Sequence, residues 1–132
     1  MFLNQQQIQQ LVAENNNFIT PFDKKLLKPT SYTFRFGSSA GHNTPEEGII
    51  IQPSEFINIE SLETVHFPDT VLGILSTRGS IAQAGLDCLL TDTIIEPGSQ
   101  GKLRFSCKNN SDHPISLKFG QPLVKCVFSK IG

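Results

Sequence analysis

The sequence contains no tryptophan, one methionine and one tyrosine. It nowhere approaches the run of ~18 apolar residues that a membrane-spanning helix needs. No apolar segment of signal-peptide length follows Met1. These absences predict a soluble, cytoplasmic protein without a membrane partner. An excess of one charge is missing too. Eleven Lys and Arg stand against twelve Asp and Glu, a net charge of -1. That balance argues against a nucleic-acid partner, so cations that bind a ligand must be gathered locally. Cysteine is scarce: Cys88, Cys107 and Cys126 cannot all pair, and none forms a C-x-x-C motif. Buried free thiols are expected. No H-x-E … P-C-x-x-C arrangement exists to hold a catalytic zinc, so no metal-ligand set is expected.

What is abundant is phenylalanine, glycine and proline, at ten, ten and eight residues. That profile favours many short elements joined by turns, within a single domain spanning 1–132. One helix is predicted over 4–14. Asn4 can cap it, Gln7 can complete a capping box, and Ile8, Leu11 and Val12 form one apolar stripe. Asn15 to Asn17 should end it. Beyond this the pattern turns to strands. Tyr32, Phe34 and Phe36 alternate with Thr33 and Arg35, as in a half-buried strand. Residues 37–47 read as a polar loop. Residues 48–52, 55–59 and 63–66 read as three short strands, and 71–75 as one covered on both faces. Segments 86–90, 93–95, 102–108, 115–117 and 123–131 complete about nine strands, an all-β jelly roll or barrel.

The segment with the most chemical content is Thr77-Arg-Gly-Ser80. It follows an apolar strand and gathers an arginine, a glycine and two hydroxyls at one turn. Arginine presents a fork of donors matched to phosphate oxygens. Glycine lets backbone N–H groups come close to an anion. A short helix starting at Ser80 and ended by Gly85 would aim its N-terminus at the same place. Taken alone, an Arg-Gly turn is more often just a surface turn.

The order of segments is more specific. Ile19-Thr-Pro-Phe22 and Leu27-Lys-Pro-Thr-Ser-Tyr-Thr-Phe-Arg-Phe-Gly37 resemble the "I-x-P-F … P-x-S-Y-D-L-R-L-G" block of the dCTP deaminase branch of the dUTPase superfamily. Leu62-Glu-Thr-Val-His-Phe-Pro68 resembles its "T-x-E-x-V-x-L-P". Thr77 to Leu86 resembles "G-R-S-S-L-A-R-L-G-L". Ile95-Glu-Pro-Gly-Ser-Gln-Gly101 resembles "I-D-P-G-W-x-G", and Gly120-Gln-Pro-Leu-Val124 the closing "P-G-M-x-I". The resemblance implies a dUTPase-like distorted jelly roll of the β-clip type, with a short N-terminal helix. It also implies a homotrimer whose nucleotide sites lie between subunits. By position, Arg78, Gly79, Ser80 and Gln83 would hold phosphates. Thr91, Asp92, Thr93 and Ile95 would line the base and sugar pocket. Glu96 would orient an attacking water, and Mg²⁺ would accompany a triphosphate.

Three positions depart from that pattern. Thr33 stands where the first-motif aspartate is expected, and Gln83 where the deaminases have a second arginine. Ser106 stands where they have the general acid/base glutamate. A serine cannot shuttle protons at neutral pH as a tuned carboxylate does, a loss of ~10²–10⁴ in rate. Glu96 is one methylene longer than the family's aspartate, and a misplacement of ~1 Å can cost ~10². The expected function is therefore binding of a pyrimidine deoxynucleoside triphosphate, by sequestering or sensing it, with catalysis lost. The alternative is a divergent dUTP pyrophosphatase or dCTP deaminase that uses Glu96. Lys102, Arg104 and Lys108 could bind phosphates, but alternating charges on a strand are more often its solvated face. His42, His66 and His113 share no motif and are assigned no role.

Overall fold

The computed structural model describes residues 1–15, 17–39, 48–90 and 92–132. Helix α1 spans Gln5–Glu14 and starts as its spacing predicts. The Gln7 N–H donates to Asn4 Oδ1, and the Asn4 N–H donates to Gln7 Oε1, both at 2.9 Å. Two of the free donors at the helix start are thereby satisfied reciprocally. Ile8 is buried, and Leu11 and Val12 pack against the core. At the other end Asn15 caps α1, its backbone N–H donating to the Leu11 carbonyl.

Among the described residues ten strands follow: β1 (Ile19–Thr20), β2 (Tyr32–Ser39), β3 (Ile49–Ile51), β4 (Phe56–His66), β5 (Val71–Thr77), β6 (Leu86–Asp87), β7 (Ile94–Ile95), β8 (Gln100–Asn109), β9 (Ile115–Leu117) and β10 (Pro122–Lys130). The main sheet runs β6-β8-β4-β2-β10-β5-β7, with β1 also paired to β4. Its pairings are all antiparallel. Strands β3 and β9 form a separate pair. Val65 of β4, Leu75 of β5, Ile95 of β7 and Phe105 of β8 line one cleft although they come from distant places in that order. The sheet is curled.

Several local expectations change. Residues 55–59 and 63–66 are one strand, β4, rather than two. Its ladder with β8 shifts between Glu60 and Thr64. Ser61 bridges the gap: its Oγ donates to the Glu63 carbonyl at 2.6 Å and accepts the Leu103 N–H at 2.9 Å. A side chain thus takes over where the ladder lapses, and the strand bends without breaking. Strand β2 runs on through Ser39, and both its faces are buried because it lies mid-sheet between β4 and β10. The rest of the expected loop, 40–47, lies outside the described residues. On β5, by contrast, Val71, Gly73 and Leu75 are buried while Leu72 and Ile74 are half exposed. Only one of its faces meets the core. In β3, Ile50 is 62% exposed.

The core is aromatic. Phe18 meets Phe67 and Phe128 edge-on with centroids 5.1 and 5.7 Å apart, and Tyr32 stacks on Phe22. Within it lies a charged cluster. Glu63 is fully buried. Its carboxylate accepts from Tyr32 Oη at 2.9 Å, Arg35 Nε at 2.8 Å and the Arg35 N–H at 3.0 Å. Arg35 Nη2 also donates to the Pro21 carbonyl at 2.8 Å. Burial, with the Glu63 carboxylate close by, raises the Tyr32 pKa above its ordinary value. This is how the chain holds a charge in its interior: the two ions are paired and each makes further hydrogen bonds. All three cysteines are buried and free, as composition suggested.

Candidate functional site

Strand β5 delivers the chain to the Arg-Gly-Ser turn. The Arg78 N–H donates to the Leu123 carbonyl at 2.8 Å, and the Cys88 N–H donates to Thr77 Oγ1 at 3.2 Å. The turn is thereby pinned from two sides. Helix α2, Gly79–Gln83, opens directly after Arg78, whose carbonyl accepts from Ile81 and Ala82. Ile81 is buried and anchors this single helical turn. Gly85 ends it at φ +102°, and a Cβ there would come within 2.7 Å of the Ser111 side chain. Both the backbone angle and the packing call for glycine.

Arg78, Gly79, Ser80 and Gln83 are all exposed on this turn. The Arg78 side chain makes no hydrogen bond or ion pair among the described residues, and no side chain caps α2. A Cβ on Gly79 would meet nothing within 4 Å. The chain's own packing therefore does not explain that glycine, whereas a ligand approaching the backbone would.

The second group of residues surrounds a cleft of about 310 Å³. The Thr93 carbonyl accepts the Leu75 N–H at 2.7 Å, which docks the 92–95 segment on β5. Asp92 Oδ1 accepts the Ile94 N–H at 3.0 Å, a local turn that sets up β7. Val65, Leu75, Ile95 and Phe105 are among the apolar residues lining the cleft, Ser99 and Gln100 add neutral polar groups, and its charged lining residues are Asp92, Lys102 and Arg104. Of the expected base-pocket residues, Asp92 and Ile95 line it. Thr93 is exposed beside it, and Thr91 lies outside the described residues. Glu96 is exposed and heads the next turn, where its carbonyl accepts from the Ser99 N–H and from Ser99 Oγ at 2.6 Å. It does not line the cleft.

Ser106 lies on β8 next to this region, its carbonyl accepting the Leu90 N–H at 3.2 Å. Its Oγ donates to Asn58 Oδ1 on β4 at 2.8 Å. A neutral hydroxyl–amide pair thus occupies the place at which the resemblance expects a glutamate. Thr33 is buried on β2 opposite Lys125. Among the described residues, none of Arg78, Gly79, Ser80 and Gln83 lines the Asp92 cleft.

Residues 40–131 match the dCTP deaminase-like family. The chain belongs to that family. A dCTP deaminase of Pyrococcus horikoshii is 34% identical over 119 residues, covering 86% of this chain and 75% of that one. The dCTP deaminase of Thermococcus gammatolerans is 33% identical over 124 residues, covering 89% and 78%. In fold, the chain superposes on the 2′-deoxycytidine 5′-triphosphate deaminase of Agrobacterium tumefaciens with a TM-score of 0.80 at 16% identity. That match covers 99% of this chain and 48% of the other, so the chain spans about half its length. A Staphylococcus bacteriophage 80alpha dUTPase solved with dUPNHPP gives a TM-score of 0.59 at 18% identity, covering 80% and 72%. These likenesses establish the dUTPase-like fold of this family member, with its curled antiparallel sheet and short N-terminal helix.

Sequence reasoning did not assign two of the three charged lining residues to the cleft. Lys102 and Arg104 alternate along β8, a pattern that usually marks a solvated face. Their position directly after the 92–101 segment was the available signal. What could not be read is that the sheet curls to bring β8 alongside β7.

Proposed function

We propose that this family member binds a pyrimidine deoxynucleoside triphosphate and sequesters or senses it, with catalysis lost. In this reading Arg78, Gly79, Ser80 and Gln83 hold the phosphates, while Asp92, Thr93 and Ile95 flank the base and sugar. The observation that carries it is the exposed Arg78, whose side chain has no partner among the described residues, on a rigidly pinned turn. An idle guanidinium held in this way is suited to bidentate contact with phosphate oxygens. The separation of turn and cleft within one chain supports sites shared between subunits of a homotrimer. Among the described residues no three His, Cys, Asp or Glu are gathered to hold a metal. Magnesium would then enter on the triphosphate oxygens, as it commonly does, and no step is assigned to it. The loss of catalysis is supported by the Ser106–Asn58 pair, which offers no group that titrates near neutrality.

Two measurements test this. Titration with dUTP and dCTP should show saturable binding, and subunit mass in solution should be that of a trimer. Incubation with the same nucleotides and magnesium should release neither pyrophosphate nor ammonia at enzyme-like rates. One observation favours the second reading, a divergent pyrophosphatase: the Glu96 carboxylate makes no hydrogen bond or ion pair among the described residues and is free to orient water. Turnover that Glu96→Gln abolishes while binding survives would establish that reading.

A further inference from the structure

Strand β10 lies between β2 and β5, and Lys125 sits midway along it. In the two ladders Lys125 stands opposite Thr33 of β2 and opposite Ser76 of β5. Residues opposite one another across a ladder share a face of the sheet, so an ammonium and two hydroxyls form one row. Arg78 belongs to the same face. It comes two residues after Ser76, its backbone is still extended at φ -55° and ψ 137°, and its N–H still bonds to the Leu123 carbonyl of β10. Lys125 and Arg78 are therefore diagonal neighbours on adjacent strands, about 7–8 Å apart, within reach of long side chains that grip one ligand.

Both side chains are exposed, and Lys125, like Arg78, makes no hydrogen bond or ion pair among the described residues. No acid on these strands balances them: β2, β5 and β10 contain neither aspartate nor glutamate. The Arg35 guanidinium, two residues from Thr33, is already held by Glu63. Two like charges without partners on one face repel each other, and an anion bridging them removes that repulsion. The same row does not fit magnesium. Proteins hold that ion through one or two carboxylates beside the ligand's phosphates. Here the row offers two hydroxyls and a fixed ammonium, which repels a divalent cation. Magnesium arriving on a triphosphate meets no carboxylate on these strands.

We propose that Lys125 is a second phosphate-binding cation beside Arg78, and that the pair makes triphosphate binding independent of magnesium. The inference rests on the nucleotide-binding reading above. It deepens that reading by naming the form of the ligand, a polyphosphate that needs no bridging metal, and the residue that neutralises it. The two cations have complementary shapes: Arg78 presents a planar fork, and Lys125 a compact point charge with three donors.

The test is calorimetric titration of the full chain with dUTP, dCTP and inorganic triphosphate, once with magnesium and once with EDTA. Lys125→Gln and Lys125→Arg are titrated in the same two buffers. The wild-type affinity for each ligand should change by less than about threefold between the buffers. In EDTA, Lys125→Gln should bind all three ligands about tenfold more weakly, the worth of one charge-assisted hydrogen bond. Lys125→Arg, which keeps the charge, should recover most of that loss. A wild-type affinity that falls by more than about threefold in EDTA overturns the proposal. So does a Lys125→Gln loss of less than about threefold, or an equal loss in Lys125→Arg, which would trace the effect to packing and not to charge. In all three cases nucleotide binding itself stands. Lys125 is exposed, so the variants should unfold at the wild-type midpoint, and the wild-type comparison of buffers needs no substitution at all. If none of the three ligands binds in either buffer, the nucleotide reading falls and this proposal falls with it.

Discussion

Arg35 and Arg104 show how differently one side chain can be used in two parts of this molecule. Arg35 donates to Glu63 and to the Pro21 carbonyl and lies near Asp23, with a side chain only 15% exposed. Arg104 has one long contact and is 78% exposed. The two helix starts show the same contrast. At α1 the free N–H groups are met by a reciprocal Asn4–Gln7 box, whereas at α2 no side chain caps the turn and Arg78 is idle. One region satisfies its polar groups internally and so is built for stability. The other leaves them unmet, and unmet donors on a pinned backbone are available to a ligand.

The largest effect should come from breaking the satisfied region. Glu63→Ala removes the acceptor for Tyr32 and Arg35 and leaves the largely buried Arg35 cation with only its long Asp23 contact as an ion pair. It should cost about 3–5 kcal/mol in urea unfolding, and a loss below ~1 kcal/mol would mean the network is dispensable. The same network can be tested by pH. Because Tyr32 has its pKa raised on folding, the folded state holds its proton longer than the unfolded chain does. Stability from this group is complete below the ordinary tyrosine value of ~10 and is lost as pH rises beyond it. Tyr32→Phe should flatten that alkaline slope in a pH series of unfolding midpoints.

On the open side the effects should fall on binding instead. Arg78→Ala should weaken nucleotide binding by about 1.5–3 kcal/mol, read by calorimetric titration. Its unfolding free energy should stay within ~0.5 kcal/mol of wild type. A drop in stability with unchanged binding would reverse the contrast. Asn4→Ala should cost about 1 kcal/mol of stability through loss of the α1 cap, with nucleotide affinity unmoved. The smallest effect belongs to Arg104→Gln, whose exposed contact with Glu60 should change stability by no more than ~0.5 kcal/mol.

The two regions were also unequally legible. The α1 capping box could be read from Asn4 and Gln7, because both partners lie within one helical turn. The Arg78-Gly-Ser80 turn could be read because a fork of donors beside glycine has local chemical meaning. Glu63 was visible within its sequence block, but the block did not reveal that it pairs with Arg35 across 28 residues. The continuity of β4 was hidden as well. Glu60 to Leu62 looks like an interruption, and it is the Ser61 hydroxyl, reaching β8, that carries the strand through it. Lys102 and Arg104 looked like a solvated face because alternation reports which side of a strand a residue occupies, not what the sheet curls to meet.

Local order and periodicity in the sequence determined the helix, most of the strands, the glycine-ended α2 turn and membership of the dCTP deaminase-like family. Each depends on contacts within a few residues or on a pattern repeated along the chain. The tertiary structure alone decided which arginine is structural and which is free, and which two cations border the cleft. Those outcomes depend on partners distant in sequence, and on burial, which acquires a value only when the curled sheet closes over it.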